Sequence, residues 1–366
     1  MPSPSTVIAG GGVIGLSLAL ELQKRGRAVT VLERHHCGDV THGAATPASA
    51  GILGTDDPGH PAQMQELCSY SYALYPEFLA RLAELSGRAV PFDHTHLLEA
   101  FADCAAEDDR ERGELLNAEQ LRELEPELIP GDAHWYRREE PSLDPRLLCA
   151  ALLAACRAAG VDVRENEPVM SLTFGANEVS LHTPHAVYVA EQFCLAAGAW
   201  SGGLLGAQDF APLVPTVPRR GQILCLQLPQ HPIRHAVRPI GCYLVPRATN
   251  LLIGSTVEFA GFEVATQPEV IDSLQALIAQ SYPALASVQR LDQWAGLRPG
   301  TPDDLPILGA LPQPGCFVST GHFRNGILLA PGSAQVMADL MDSREPAVAL
   351  GAFLPARFSQ VSVAVP

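Results

Sequence analysis

Thr6-Val7-Ile8-Ala9-Gly10-Gly11-Gly12-Val13-Ile14-Gly15 is the stretch on which the fold turns. A short apolar strand runs into Gly-x-Gly-x-x-Gly, and Val13–Lys24 follows with Ile14, Leu18 and Leu22 on one helical face. Gly26 closes that helix, and Ala28–Leu32 reads as a second strand ending at Glu33, eighteen residues past Gly15. The glycine pattern alone is weak, since a helix-capping turn produces many such matches. Strand before, helix after and an acid closing the next strand make it the full dinucleotide fingerprint. Gly10 allows the tight turn, Gly12 lets backbone N–H groups approach a pyrophosphate, and Gly15 lets the helix sit close to the sheet. The helix N-terminus favours anionic phosphates. Glu33 can accept both ribose hydroxyls, and its charge would repel a 2′-phosphate.

The chain has 366 residues, 47% hydrophobic and 17% charged, which favours two domains over one or three. Helices are expected over Pro61–Leu85, Leu116–Leu128, Pro145–Ala159 and Val270–Ser281, and strands over Pro91–Ala102. Val161–Glu167, Ser171–Phe174, Glu178–His182 and Ala186–Ala190 read as a meander. Phe193–Ala196 reads as a buried strand, and Gly221–Leu228, Cys242–Pro246 and Leu251–Ser255 as further strands. The chain's end repeats its opening grammar, with strand Cys316–Thr320, a glycine-bounded turn and helix Ile327–Met341. We therefore expect an α/β (α+β two-domain) protein. Segments 1–85, 145–212 and 295–345 would build a discontinuous Rossmann-type domain, and 86–144 with 213–294 an interleaved antiparallel β-sheet domain for substrate. Residues 346–366 would form a C-terminal tail.

A formal charge of −16 without a basic cluster argues against nucleic-acid or anionic-membrane partners. A homo-oligomer is compatible with such a surface. Nine scattered cysteines without CxxC spacing fit reduced thiols better than disulfides or a zinc site, so no metal is expected. No basic n-region or long apolar run is seen, so a cytoplasmic protein without signal peptide or membrane helix is expected. FAD is favoured over NAD by the position of the glycine turn, more than 280 residues from the closing strand–turn–helix that partners it. The strand end Phe193-Cys194-Leu195-Ala196-Ala197-Gly198 adds small residues where backbone can approach a ligand.

Residues 10–15, Thr46 to Leu53, Ala196 to Ser201, Gly296-Leu297-Arg298-Pro299-Gly300-Thr301-Pro302-Asp303 and Gly321 to Pro331 together resemble the D-amino-acid oxidase superfamily, most closely its glycine oxidase branch of thiamine biosynthesis. The likeness runs from about Val7 to Leu340, and the last two motifs are its most specific. It implies a non-covalent FAD held by Gly10, Gly12, Val13, Ile14 and Gly15 at the pyrophosphate and by Glu33 and Arg34 at the adenosine. Ala45, Thr46, Ala50, Gly51 and Ile52 would line the flavin, with Ala197 and Gly198 beside it, and the backbone of Val169 would meet adenine. His322, Phe323, Arg324, Asn325, Gly326, Ile327 and Leu328 would wrap the isoalloxazine, with the last helix directing its dipole at the flavin.

The same likeness implies that Arg298 binds a substrate carboxylate, for which guanidinium supplies a planar two-donor fork. Tyr243 would add a phenolic hydrogen bond, and the carbonyl of Arg324 would hold the amine. A surface ion pair from Arg298 to Asp303 or Asp304 is the bland alternative, as packing is for Tyr243. The implied reaction is oxidative deamination of glycine, sarcosine and small D-amino acids by hydride transfer to flavin N5, with O2 reduced to H2O2. Related readings are a D-amino-acid dehydrogenase, a sarcosine-type oxidase and a non-catalytic FAD-holding subunit. Branches with covalent flavin carry a cysteine near the Thr-Pro-Asp turn, where this chain has Gly296. Asn166–Glu167 and Glu258–Thr266 match no interpretable family feature.

Overall fold

The computed structural model describes residues 5–55, 57, 59–103, 112–205, 210–228 and 233–359, and the side chains of all of these except 93–95. Cys104 and the last residues of the expected tail lie outside them; the other eight cysteines are free thiols.

The glycine turn emerges from the middle of a six-stranded sheet. Asp162–Arg164, Val29–Leu32, Thr6–Ala9, Gln192–Leu195 and Cys316–Thr320 run parallel in that order, and Ile307–Ala310 adds an antiparallel edge. Thr6–Ala9 has the next strand of the chain on one side and a strand nearly two hundred residues later on the other. That reversal is a topological switch point, and a ligand crevice opens outside the carboxyl ends of strands on either side of it. The sheet is buried on both faces: Ile8 packs toward the helices Val13–Lys24 and Gly326–Met341, while Val7 and Ala9 join the opposite cluster with Phe193 and Leu195.

The second sheet is eight-stranded, ordered Arg290–Gly300, Val217–Gln227, Asn250–Gly254, Tyr243–Pro246, Ala236–Arg238, Phe92–Phe101, His134–Leu143 and Glu114–Leu115. Its pleat sorts side chains by parity. Leu98, Leu224, Leu226, Val237, Leu244 and Ile253 pack with helix Pro268–Ser281. Leu97, Ile223, Cys225, Ala236, Val245 and Leu252 face Ala48 and Ala50 instead. The second face is therefore turned toward the crevice.

Several boundaries differ from expectation. Pro61–Leu85 is broken into Ala62–Met64, Gln65–Ala73 and Tyr75–Ser86, because Pro76 in the first turn of the last helix has no N–H to continue the ladder. The helix expected over Leu116–Leu128 shrinks to Ala118–Leu124, opened by an Asn117–Gln120 capping box. Asp162–Arg164 leaves the meander for the parallel sheet, and only Ser171–Phe174, Val179–His182 and Val187–Ala190 form a separate antiparallel unit. Strands His134–Leu143, Arg290–Gly300 and Ile307–Ala310 were not foreseen. The first two carry charged residues on an inward face, which hides the alternation of a half-buried strand.

The helix Gly326–Met341 contains Pro331, which cannot donate to Ile327 O. Tyr75, fully buried, donates its hydroxyl to that carbonyl at 2.6 Å. Ser71 Oγ donates to Leu328 O at 2.6 Å and accepts from Gly332 N at 2.9 Å. Two side chains thus repair the ladder beside the crevice. Tyr75→Phe leaves a buried carbonyl unsatisfied and should cost about 1–3 kcal/mol. Chemical denaturation checks this, and an unchanged midpoint would mean that water replaces the hydroxyl.

Candidate active site

A cavity of about 1050 Å³ extends from the switch point to the crevice face of the second sheet. It is lined by Gly10, Gly12, Val13, Ile14, Glu33, Arg34, Ala45, Thr46, Ala50, Gly51, Ile52, Val169, Ala197, Gly198 and His322 to Ile327, and by Tyr243 and Arg298. Gly15 and Leu328, from the same expected set, are not on its wall. Gly15 is packed so closely on Gly10 O that any Cβ would collide, and Leu328 is buried in the core behind.

The cavity suits an elongated dinucleotide. Helices Val13–Lys24 and Gly326–Met341 both start at its wall, and neither has a side-chain cap or an acidic residue in its first turn. Apart from Val13 N, which makes a long 3.5 Å contact with Thr46 Oγ1, their orphan N–H groups are left for an anion. A Cβ built on Gly12 would meet nothing within 4 Å, so the backbone there is open to a close-lying ligand. Glu33 accepts from Gly11 N at 2.6 Å through Oε2 and from His35 N at 3.1 Å through Oε1. Each oxygen keeps a lone pair for a ribose diol. Burial raises the Glu33 carboxyl above its ordinary pKa, and the N–H groups of Gly11 and His35 pull against it. Arg34 lies 5.2 Å over Trp200, on whose ring Phe262 stacks at 5.8 Å. The segment that sequence left uninterpreted therefore has a place. It is pinned by the Arg220–Glu258 bridge, and its Phe262, with the preceding Val257, lines the cavity wall.

At the other end, Arg298 lies on strand Arg290–Gly300. It donates to Ser255 Oγ at 2.6 Å and to Thr256 O at 3.0 Å. The carboxylates of the bland alternative are engaged elsewhere, Asp303 with Arg357 at 2.8 Å and Asp304 with Arg219 at 3.3 Å. Among the described residues no carboxylate forms an ion pair with Arg298, and at least three of its five N–H donors remain. Burial lowers its pKa from the ordinary value, with Tyr243 opposing and Arg324 reinforcing the shift. Burial raises the Tyr243 phenol, so it is a neutral donor, and its hydroxyl shares Ser255 with Arg298. Ser255, and the charged residues Asp57, Glu99, Glu140 and Arg238 that also line the cavity, were missed. Strand register could have revealed Glu99, Glu140 and Arg238; Asp57 and Ser255 lie on loops and carry no such signal.

His322 is buried and bonded to Ser333 Oγ at 2.9 Å; burial pulls its pKa down to about 3. The unfolded chain binds this proton near pH 6.5 and the folded chain only near 3, so stability falls as pH drops through that window. His322→Gln should lose less stability than the parent between pH 7 and pH 5. Equal slopes in thermal denaturation would show that His322 titrates freely when folded. Glu33→Gln keeps the shape but loses acceptors and charge, so FAD affinity should fall by about 1.5–3 kcal/mol, or roughly 10- to 100-fold. Equilibrium binding of FAD to the apoprotein measures it, and unchanged affinity would place the ribose away from Glu33.

Comparison with known proteins agrees with this architecture. The chain matches the family FAD dependent oxidoreductase over residues 5–340. It is 32% identical to the glycine oxidase of Pseudomonas aeruginosa, across 97% of this chain and 99% of that one. It is 33% identical to the bifunctional protein ThiO/ThiG of Trichormus variabilis, across 98% of this chain; it spans only 56% of that longer protein. The crystal structure of glycine oxidase from Geobacillus kaustophilus superposes with a TM-score of 0.86 at 28% identity, over 98% of this chain and 99% of that one.

Proposed function

This chain belongs to the FAD-dependent oxidoreductase family, and from that premise we propose that it deaminates glycine and other small amino acids or amines oxidatively, passing electrons to O2 with release of H2O2. The observation that carries the reading is the Arg298 guanidinium, set in the cavity without a carboxylate partner among the described residues. The glycine oxidase relatives point the same way, and the ThiO/ThiG relative supports a supply of oxidised glycine to thiamine biosynthesis.

Bound FAD supplies the hydride acceptor at flavin N5. Arg298 fixes the substrate carboxylate by a two-point contact, and Tyr243 donates to the same group. The carbonyl of Arg324 receives the amine, which orients Cα and its hydrogen. The substrate ammonium can lose its proton to water and become the neutral amine, so no strong protein base is required; His322 is buried and neutral. The residues thus contribute orientation and charge placement. Gly10, Gly12, Val13, Ile14, Glu33 and Arg34 would hold the dinucleotide, and Ala45, Thr46, Ala50, Gly51 and Ile52 the flavin, with His322 to Ile327 around it.

Attachment should be non-covalent. A Cβ at Gly296 would lie 2.6 Å from Ala48 Cβ, which leaves no room for a cysteine at that position. Acid precipitation should therefore release all of the yellow colour, and flavin retained on the denatured chain would contradict this.

Removing one partner of a desolvated bidentate pair costs about 3–5 kcal/mol. Arg298→Ala should accordingly lower kcat/KM for glycine by roughly 10²-fold or more, and Arg298→Lys should restore only part. Turnover of an amine lacking a carboxylate should respond far less. Peroxide assays on both substrates decide the matter: equal losses would place Arg298 in the fold or beside the flavin, away from the substrate carboxylate.

A further inference from the structure

The cavity holds a second set of charges that the reaction above leaves unused. Val237 pairs with Leu244 in antiparallel register, so Arg238 lies directly opposite Tyr243 and on the same face of the sheet. On its other side Arg238 is the register partner of Glu99. The Arg238 guanidinium donates to Glu99 Oε1 and Glu140 Oε1, each at 3.0 Å, and pairs with Asp57 Oδ2 at 3.4 Å. Arg138 holds the remaining oxygens, Glu140 Oε2 at 2.6 Å and Glu99 Oε2 at 2.7 Å. Glu99, Glu140 and Arg138 are almost completely buried.

Two guanidiniums against three carboxylates leave one uncompensated negative charge. Arg238, Glu99, Glu140 and Asp57 line the cavity, next to Tyr243, whose phenol is acted on by both Arg298 and Arg238. Arg238 is already engaged by three carboxylates and is not poised to receive a fourth. Of the other cations near Tyr243, Arg298 is the reserved anchor for the α-carboxylate and Arg324 is exposed, where water screens it. Buried ion clusters are poor stabilisers compared with apolar packing, so stability alone does not account for an unbalanced one in this wall.

We propose that the Arg238–Glu99–Glu140–Asp57 cluster is a charge filter for the substrate side chain, admitting amino acids with uncharged or cationic side chains and refusing those with a second carboxylate. The inference rests on the reading of Arg298 as the anchor for the α-carboxylate. With the carboxylate fixed there, a substituent on Cα that extends past Tyr243 meets the excess negative charge. Glycine has no such substituent. The oxygens of Glu140 also stand where a Cβ on Gly54 would fall, with Oε1 at 2.8 Å, which closes the wall on that side.

D-asparagine and D-aspartate differ little in shape and by one charge, so their kcat/KM ratio on the FAD-loaded enzyme reads the filter. Like-charge opposition in a partly desolvated site should favour D-asparagine by at least about tenfold. Glu99→Gln and Asp57→Asn each neutralise the excess and should shrink that ratio several-fold; a merely structural cluster would change both substrates alike. Asp57 lies outside the buried pair of strands, so its variant guards against misfolding of the other. Propionate and succinate, followed by the flavin absorbance change, read the same discrimination without turnover. Tight propionate and weak succinate binding supports the filter even if neither amino acid is oxidised, an outcome that would sink the proposed oxidase activity alone. Equal affinities for the two acids, or a ratio unmoved in both folded, flavin-bound variants, would overturn the filter.

Discussion

Backbone pressed on backbone at two points governs this molecule. Gly10, at φ +117°, sits so close to Ala196 O that a Cβ there would collide, and Gly15 sits as closely on Gly10 O. No side chain fits at either contact, and no L-residue adopts that φ without strain. The contacts draw the carboxyl end of Thr6–Ala9, the first turn of Val13–Lys24 and the end of Gln192–Leu195 into one place. The switch point then becomes a crevice with helix N–H groups at its wall, instead of an ordinary strand-to-helix corner.

The far end of the crevice uses another device for the same purpose. Helix Gly326–Met341 also begins uncapped at the cavity, yet it carries a proline one turn in. Tyr75 and Ser71 reach across from two neighbouring helices to satisfy the carbonyls that Pro331 leaves exposed. Those helices are separate segments only because Pro76 interrupts what would otherwise be one. The break lets two hydroxyls approach the ladder at different heights. Asn325, at the N-cap, spends its side chain on His60 at 2.8 Å, which ties the helix start to the loop carrying Asp57.

How much of this was legible follows from which part of each residue acts. The glycine turn could be read because main-chain geometry demands glycine at fixed spacing, and Glu33 because it ends the next strand. Arg298 and Tyr243 came from resemblance to a family. Arg238, Glu99 and Glu140 escaped both routes, since their meaning depends on register: Arg238 beside Tyr243, and Glu99 beside Arg238. Charges on an inward strand face also mimic a solvated strand or loop, which is why His134–Leu143 was not recognised. Asp162–Arg164 reads as part of the meander because its pairing to Val29–Leu32 spans more than a hundred residues and leaves no local signature.

The cavity is thus built by two different means. The end at the glycine turn is mostly main chain, glycine and small residues, with the carboxylate of Glu33 beside the helix N–H groups. The end at the second sheet is a row of side chains on one pleated face, Arg298, Tyr243 and Arg238, each on a different strand. Because the opposite face of that sheet is packed on Pro268–Ser281 by residues of the other parity, changes on the crevice face need not disturb the core behind it. The wall on the second sheet can therefore vary in charge and size while the end at the glycine turn stays fixed by backbone contacts that tolerate no side chain.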